Sequence, residues 1–436
     1  AMLKLAHEEH GRLAWAQLFE PAIALAENGF AVSPRFHRLV TMAGQSMRLR
    51  ADFAARAYFF DAAGQPWPVG HVLRNPAYAQ TLRAIAAQGP SALTHGPIAD
   101  AILAAARRAP RAGTLTLADL AVSPRRVEPV CGAFRVYRVC GMGPPSSGAT
   151  TIAILGLYQR ARPHPVGAQN ADDWAAFLWA SRLAYADRDH YTADDNSAPV
   201  PTLEMIAPTY LDQRAALIDL AQAPVRVDPG MPAGQELFER WGREGSDDHG
   251  TTHLSIVDRD GNAVALTATV EGAYGAQRMA AGFMLNNQLT DFAFQPSING
   301  RPVANAAAPG KAPRSSMSPL IVTDADGELE LVIGSPGGSS IIAYVARATI
   351  GILDWDQTPQ QALDTGNAYA RNAPAAVERA RLPAGIADAL AARGWRLRDN
   401  SPLEESGLHA IRVTPQRLVG AADPRREGRV GSLPAE

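Results

Sequence analysis

The strongest constraint on the fold is a change of sequence pattern at Thr251. Up to that point the chain of 436 residues reads mostly as helix and connecting loop. After it, alternating runs rich in β-branched residues predict strands at 252–258, 263–270, 318–324 and 329–334. The first two runs are joined by an Arg-Asp-Gly-Asn turn and predict a hairpin. Strands flanked by helices on both sides predict a layered α/β sandwich.

Helix signals are clearest before this change of pattern and after the last predicted strand. Residues 1–125 read as mainly helical, with Gly29 and Gly113 as expected helix ends. Further helical patterns lie at 172–187, at 203–223 and directly after GSPGGSS (334–340), and Thr358–Gln361 has the spacing of a capping box. Residues 224–250, rich in Gly and Pro, predict an exposed connector with a short helix near Glu236.

Composition limits the classes of function. Hydrophobic residues make up 47% of the chain and charged residues 19%, which is typical of a folded globular protein. A formal net charge of −2 gives no reason to expect nucleic acid or an anionic membrane as a partner. The sequence contains no apolar run of ~18 residues, so it predicts no transmembrane helix. The chain starts inside a helical pattern without a signal peptide, and we expect that it lacks the beginning of its protein.

The two cysteines, Cys131 and Cys140, lie in one predicted hairpin. If Arg135 and Val136 form a two-residue turn, the two cysteines face each other on a non-hydrogen-bonded pair, where Cα atoms approach to ~4.5 Å. That separation suits a disulfide. Arg-Val is a poor sequence for a primed hairpin turn, so two reduced, half-buried cysteines remain the alternative.

Four segments after residue 250 carry polar residues that a core alone does not require. They are GTTHLS (250–255), MLNNQLTDF (284–292), PRSSMSP (313–319) and IGSPGGSSI (333–341). Each has an ordinary structural explanation, such as a strand threonine or a serine-rich turn. Together they supply a nucleophile and binding groups for an amine, a carboxylate and an oxyanion.

The chemistry of these groups favours acyl transfer. A threonine hydroxyl is a weak nucleophile unless a base lies beside it, and a free N-terminal α-amine with a pKa of ~7.7 is such a base. Cleavage before Thr251 would create that amine. Gly337 and Gly338 can present backbone N–H groups to an oxyanion at a helix N-terminus. The absence of a following Lys argues against a phosphate-binding loop.

In their order along the chain, these motifs resemble those of the γ-glutamyltranspeptidases, which are N-terminal-nucleophile (Ntn) hydrolases. LFEPAIALAENGF, PPSSG and GAADPR extend the resemblance over essentially the whole chain. The resemblance implies a four-layer αββα sandwich of the α/β (α+β) class with a mainly helical N-terminal part. It also implies autocatalytic cleavage of Gly250–Thr251, which separates a large-subunit portion (1–250) from a small catalytic subunit (251–436).

The resemblance implies roles for individual residues. Thr251 would be the nucleophile, and Thr269 would support its new amine. The family's remaining binding groups fall by position on Glu271, Gln288 and Asp291 for the substrate α-amino group, Ser315 and Ser316 for its α-carboxylate, and Gly337 and Gly338 for the oxyanion.

The chain departs from the family pattern in three respects. Glu271 stands where some members have Asn, and GPPSSGAT (143–150) lacks one Pro and one Gly of the usual run. The family's large subunit begins with a longer segment that carries a signal peptide, inner strands and an arginine that grips the substrate carboxylate. The chain does not contain this segment. We therefore expect the 436-residue chain, expressed alone, to aggregate or stay largely unprocessed.

The function implied by the resemblance is that of a γ-glutamyl acyltransferase and hydrolase. It would act on glutathione and related γ-glutamyl compounds through a γ-glutamyl-threonine ester, with water, an amino acid or a peptide as acceptor. The resemblance also implies no cofactor and no metal, association of the two subunits after cleavage, and a periplasmic or secreted location. Two alternatives stay open: a related acylase that takes a cephalosporin-type or glutaryl acyl group, and a chain without activity, either truncated or used for binding.

Overall fold

A computed structural model describes residues 1–45, 48–234, 250–400 and 405–433. The α-helices in this part of the chain are α1 (Met2–His10), α2 (Glu20–Asn28), α3 (Pro34–Gln45), α4 (Arg48–Ala51), α5 (Phe53–Phe59), α6 (Pro76–Gln88), α7 (Gly96–Ala106), α8 (Leu117–Leu120), α9 (Gly148–Ala161), α10 (Ala171–Tyr191), α11 (Pro208–Ala215), α12 (Ile341–Leu353), α13 (Pro359–Asp364) and α14 (Ile386–Ala392). The strands are β1 (Phe30–Ala31), β2 (Val72–Leu73), β3 (Val130–Phe134), β4 (Tyr137–Gly141), β5 (Gly250–Val257), β6 (Ala263–Glu271), β7 (Met279–Ala280), β8 (Phe283–Met284), β9 (Ser297–Ile298), β10 (Arg301–Pro302), β11 (Leu320–Thr323), β12 (Leu329–Gly334), β13 (Ala368–Tyr369), β14 (Ala375–Val377), β15 (Leu397–Asp399), β16 (His409–Thr414) and β17 (Arg417–Ala422).

The chain divides into two compact units. The first comprises Ala1–Arg126 and Val270–Asn287, and the second comprises Val127–Thr269 and Gln288–Glu436. These units are defined by packing within the folded chain, so they do not test where the chain is cleaved into subunits. The division into 1–250 and 251–436 therefore stays a prediction.

The first unit is mainly helical, as its sequence predicts. Gly29 follows α2 with a φ of +86°, a conformation that favours glycine, and the predicted helix end at this residue is confirmed. The predicted end at Gly113 is wrong, because α7 already ends at Ala106. Pro110 has no N–H to donate to the Ala106 carbonyl, which instead accepts a hydrogen bond from the Gly113 N–H at 2.9 Å.

The returning segment 270–287 contributes to the core of this first unit. Tyr274 and Met279 pack among the buried residues of α3, α4 and α5. The Asn75 and Thr81 side chains donate to the carbonyls of Gly282 and Ala281, at 2.8 and 2.7 Å respectively. The segment is thus held by both apolar packing and buried polar contacts.

The second unit is organised around a six-stranded antiparallel sheet with the order β17-β16-β12-β11-β4-β3. In the central strand β12, Leu331, Val332 and Ile333 are all completely buried, which requires cover on both faces of the sheet. Leu331 and Ile333 belong to the main apolar core, and Val332 between them points to the opposite face because strand side chains alternate. The predicted strands at 318–324 and 329–334 are confirmed as β11 and β12.

Helices cover one face of this sheet and a hairpin covers the other. On the helical side α9 packs against α10, α12 and β3, and α12 also packs on β12. On the opposite side β5 packs on β12 and β16, and β5 pairs with β6. The predicted hairpin at 252–258 and 263–270 is therefore confirmed, and helices, sheet and hairpin form successive layers of the predicted α/β sandwich.

Helix α10 confirms the prediction at 172–187 and forms the centre of the helical layer. Its first turn is capped by the Asn170 side chain, which accepts from the N–H groups of Asp172 and Asp173. Residues are buried all around this helix, including several charged ones. Among the described helices, none combines the length and apolar character needed to cross a bilayer.

Two further predictions have different outcomes. The capping box is confirmed, since the Thr358 and Gln361 side chains cap α13 reciprocally. The helix predicted at 203–223 is largely wrong: it reduces to a 3-10 turn at Glu204–Ile206 and to α11. After α11 the carbonyl of Asp219 accepts from Trp179 Nε1 at 2.7 Å as well as from the Gln222 N–H at 3.3 Å. The expected helix near Glu236 lies outside the described residues.

The cysteine hairpin forms β3 and β4, with the pairing predicted from the sequence. Cys131 lies opposite Cys140, and a disulfide joins them with a Cα–Cα distance of 4.1 Å. Arg135 in the turn has a φ of +55°, which is unfavourable for an arginine. Its guanidinium offsets this cost through two hydrogen bonds to the Asp354 carboxylate, at 2.9 and 2.8 Å.

We predict that replacing both Cys131 and Cys140 by Ser lowers the free energy of unfolding by about 2.5 kcal/mol, the loop-entropy value for a closed loop of roughly ten residues. Urea unfolding of the oxidised protein and the double variant measures the difference. Thiol titration of denatured, unreduced protein should find no free cysteine. Two free thiols, or a variant as stable as the oxidised protein, would contradict the prediction.

Candidate active site

Thr251 is the second residue of β5, and its hydroxyl donates to the Thr269 hydroxyl on β6 at 3.2 Å. The residue is partly exposed. Its carbonyl accepts from Arg426 Nη1 at 3.3 Å, and Arg426 follows directly after the terminal GAADPR motif. The structure thus places the two predicted threonines in contact, with the C-terminal motif beside them.

The face of β5 that carries Thr251 continues with His253 and Ser255, because alternate residues of a strand share one face. His253 is almost completely buried; its ring nitrogens contact Thr267 Oγ1 at 2.8 Å and Ser255 Oγ at 3.1 Å. Ser255 Oγ in turn donates to the His409 carbonyl on β16 at 3.3 Å. This row of polar side chains lies between the hairpin and the six-stranded sheet.

His253 requires a glycine opposite it. A Cβ atom on Gly334 would lie 2.2 Å from His253 Cε1, so any larger residue would force the imidazole ring to shift. Burial, together with the neighbouring His409, lowers the pKa of His253 to about 3, so the ring stays neutral at ordinary pH. His253 is not predicted from the sequence, where its only local signal is a histidine at an inward-facing position of a strand.

Gly334 ends β12 and leads into the predicted oxyanion loop. Gly337 and Gly338 have φ values of +137° and +60°, both in the region that favours glycine, and a Cβ on Gly337 would lie 2.7 Å from the Tyr344 ring. A short 3-10 turn, Gly338–Ser340, then leads into α12, which confirms the predicted helix. The Tyr185 hydroxyl donates to the Ser339 carbonyl and anchors the loop.

Ser315 and Ser316 are buried immediately before β11. The Ser315 N–H donates to the Pro145 carbonyl at 2.9 Å, and the Ser147 hydroxyl donates to the Ser315 carbonyl at 2.6 Å. The GPPSSGAT turn therefore holds the serine pair. That contact gives the upstream motif a structural role which the sequence alone did not assign.

Gln288 and Asp291 lie on one 3-10 turn and contact each other, with Gln288 Nε2 donating to Asp291 Oδ2 at 2.6 Å. Asn305, buried nearby, donates to the Asp291 carbonyl at 2.7 Å and accepts from the Arg314 N–H at 2.9 Å. Asn305 therefore ties the Gln288–Asp291 turn to the segment that carries Ser315. Asn305 is not predicted from the sequence, because its role depends on contacts with residues distant in the chain.

Glu271 belongs to the first compact unit and is nearly buried there. Asn287 Nδ2 donates to its carboxylate, and Asn287 Oδ1 accepts from the Gly272 N–H at 2.8 Å. The backbone of Glu271 has a φ of +72°. Asn and Gly adopt this conformation more readily than Glu, so Glu271 carries a backbone cost that the Asn287 contact helps to offset.

These features define a mixed α/β fold of the Ntn-hydrolase type, with a threonine at the start of the strand that packs on the central sheet. The chain belongs to the γ-glutamyltranspeptidase family, whose family model matches residues 1–433.

Individual relatives agree with this assignment. The glutathione hydrolase proenzyme of Pseudomonas sp. (strain A14) is 31% identical, over 97% of this chain and 74% of the relative. The Acylase ACY 1 proenzyme of Pseudomonas sp. (strain V22) is 32% identical, over 96% of this chain and 71% of the relative. The crystal structure of a cephalosporin acylase from Bacillus halodurans superposes with a TM-score of 0.85 at 24% identity, covering 99% of this chain and 76% of that one. The last comparison confirms the predicted fold.

We predict that the buried, neutral His253 makes the protein less stable in acid. Unfolded histidine binds a proton near pH 6.5, whereas folded His253 resists protonation until about pH 3. Its contribution is complete above pH 6.5 and is lost as the pH falls from there, by up to about 1.4 kcal/mol per pH unit. The free energy of unfolding in urea, measured between pH 7 and pH 4, should fall less steeply for His253→Gln than for the wild type.

The exposed His164 provides the control, since His164→Gln should retain the wild-type pH dependence. Parallel profiles for the wild type and His253→Gln would show that His253 titrates normally in the folded protein.

Proposed function

We propose that the protein is a γ-glutamyl acyltransferase and hydrolase in which Thr251 is the nucleophile. The observation that carries this proposal is the 3.2 Å contact between the Thr251 and Thr269 hydroxyls at the start of the β5–β6 hairpin. A threonine in this position gains an adjacent base once its own α-amine is free. Membership of the γ-glutamyltranspeptidase family supports the same reaction class.

In the proposed acylation step, the Thr251 oxygen bonds to the γ-carbonyl carbon of the substrate. The C–N bond of the amide then breaks, and the hydroxyl proton passes through the Thr251 α-amine to the leaving amine. The backbone N–H groups of Gly337 and Gly338 would stabilise the oxyanion. Water or the amine of an acceptor next attacks the ester, the bond to Thr251 breaks, and the proton returns to its hydroxyl.

The same proposal assigns binding residues to the α-amino and α-carboxylate groups of the γ-glutamyl substrate. The Asp291 carboxylate, positioned by Gln288, would pair with the substrate α-ammonium. The hydroxyls of Ser315 and Ser316 would donate to the α-carboxylate. A donor that carries both groups on one carbon fits this set better than a simple acyl chain, because it offers a cation to Asp291 and an anion to the two serine hydroxyls.

Maturation would use the same hydroxyl. Attack of Thr251 Oγ on the Gly250 carbonyl would convert the peptide bond into an ester, and water would then release Thr251 as a new N-terminus. The products, residues 1–250 and 251–436, would remain associated as two subunits. The proenzyme names of relatives support such processing, and a periplasmic or secreted location forms part of the same proposal.

A second candidate is an acylase with a different acyl group. The 32% identity to the Acylase ACY 1 proenzyme favours it. A γ-glutamyl anilide and a glutaryl anilide discriminate between the two, because the glutaryl group lacks only the α-amine. Preference for the glutaryl compound would favour the acylase.

We predict that Thr251→Ala abolishes both self-cleavage and turnover, because one hydroxyl serves both steps. Thr251→Ser should retain part of each activity. A denaturing gel follows the fragments 1–250 and 251–436, and release of the anilide chromophore follows turnover. Thr252→Ala, at the exposed neighbouring threonine, is the control and should mature normally. Cleavage of the Thr251→Ala protein before residue 251 would refute autocatalysis by Thr251.

We predict that Asp291→Asn lowers kcat/KM for the γ-glutamyl anilide at least about 100-fold, mainly through KM, since breaking a buried charge pair costs ~3–5 kcal/mol. Activity on the glutaryl anilide, which has no ammonium, should change little. Asp326→Asn, in the exposed β11–β12 turn, is the matched control. An unchanged KM for the γ-glutamyl anilide would remove Asp291 from the site.

A further inference from the structure

Arg188 is a buried cation on α10 whose contacts converge on the serine pair. Its side chain is 1% exposed. Nη2 donates to Ser316 Oγ at 2.7 Å, and Nε donates to Ser147 Oγ at 2.9 Å. Nη1 contacts the Asp189 carboxylate at 3.3 Å. A buried charge is costly unless it is paired and hydrogen-bonded, so these contacts fix the guanidinium in one place.

The direction of these hydrogen bonds is set by the chemistry of arginine. A guanidinium has donors only, so Ser316 Oγ accepts from Arg188 and the Ser316 hydroxyl proton points to another acceptor. Ser147 Oγ also accepts from Arg188, and the Ser147 hydroxyl donates to the Ser315 carbonyl at 2.6 Å. Arg188 thereby orients one hydroxyl and, through Ser147, the backbone of the other serine.

The surroundings of Arg188 are strongly positive. Arg314 and Arg371 approach the same carboxylate of Asp189, at 4.0 and 3.0 Å, so three guanidiniums share one acid. Burial raises the pKa of Asp189, but Arg371, Arg314 and Arg188 together outweigh it, and the pKa lies below its usual value. An anionic group beside Ser315 and Ser316 would be stabilised by this charge.

We propose that Arg188 is the positioning residue that makes the protein select acyl donors with an α-carboxylate. It holds Ser316 Oγ as an acceptor, so that the Ser316 hydroxyl donates to the carboxylate, and it supplies positive charge behind that hydroxyl. This inference rests on the proposed γ-glutamyl function and names the residue that sets one part of its specificity. Lysine cannot replace it, because a single ammonium does not reproduce the fork that reaches Ser147 and Ser316 together.

Two anilide substrates isolate the carboxylate. The 4-aminobutyryl group is the γ-glutamyl group without its α-carboxylate, so the ratio of kcat/KM for the two anilides measures carboxylate selection. In Arg188→Lys we expect this ratio to fall roughly tenfold or more, through KM for the γ-glutamyl compound, as a charge-assisted hydrogen bond is lost. Self-cleavage on a denaturing gel should persist and shows that the variant folds.

Arg214→Lys is the matched control. Arg214 is also a buried arginine paired with an aspartate, Asp187, at 3.1 Å, and its hydrogen bonds go to Asp187 and to the Leu183 and Asp228 carbonyls, away from the serine pair. Its substitution should weaken folding without changing the substrate ratio. A folded Arg188→Lys with the wild-type ratio, or an equal change in Arg214→Lys, would overturn the proposal.

A double-mutant cycle gives a second measurement. If Arg188 acts through Ser316, Arg188→Lys should change the ratio little once Ser316 is Ala, whereas additive effects would refute the coupling. Should Arg188→Lys fail to fold, Ser147→Ala provides the test, since it removes the partner of Nε and should lower the ratio; an unchanged ratio would refute the proposal. A wild-type protein that matures but cleaves neither anilide would refute the proposed function itself.

Discussion

The packing of His253 against Gly334 is the contact on which the arrangement of the site depends. His253 lies two residues after Thr251, and Gly334 lies three residues before Gly337, so one contact fixes the strand of the proposed nucleophile relative to the loop of the proposed oxyanion glycines. The missing side chain at Gly334 makes room for the imidazole ring. Burial keeps that ring uncharged, and the two hydroxyls on either side satisfy its nitrogens. A polar row can therefore lie between two β layers without an unpaired charge.

The segments that carry the other proposed binding residues are irregular loops, and short polar side chains hold them in place. Asn305 joins the Gln288–Asp291 turn to the segment before β11, and Ser147 joins that segment to the turn before α9. Each of these side chains has few rotatable bonds, so little conformational entropy is lost when it becomes ordered. The loops are consequently positioned by hydrogen bonds to the backbone, which do not depend on the identity of the exposed residues around them.

Features encoded by local sequence were predicted well. The β5–β6 hairpin, the capping box before α13 and the glycine that ends α2 depend on residues close together in the chain, and the structure contains them. The helix expected at 203–223 was largely wrong, because Pro208 interrupts it and because beyond α11 the Asp219 carbonyl contacts Trp179, which is distant in the sequence. Three further roles were not predicted, for a related reason: those of His253, Asn305 and Arg188. Each acts through partners that only the fold brings near.

The disulfide in the β3–β4 hairpin has a consequence for how separate molecules meet. β3 is the outermost strand of the six-stranded sheet, and such a strand presents unpaired backbone groups that can recruit a strand from a second chain. The Cys131–Cys140 disulfide keeps β3 and β4 in one register, because a one-residue shift would separate the sulfur atoms. The same bond prevents the two strands from separating. Displacement of β3 from β4 by a strand of a second chain is disfavoured while the bond is intact. The register of this edge hairpin therefore depends on the redox state of the medium.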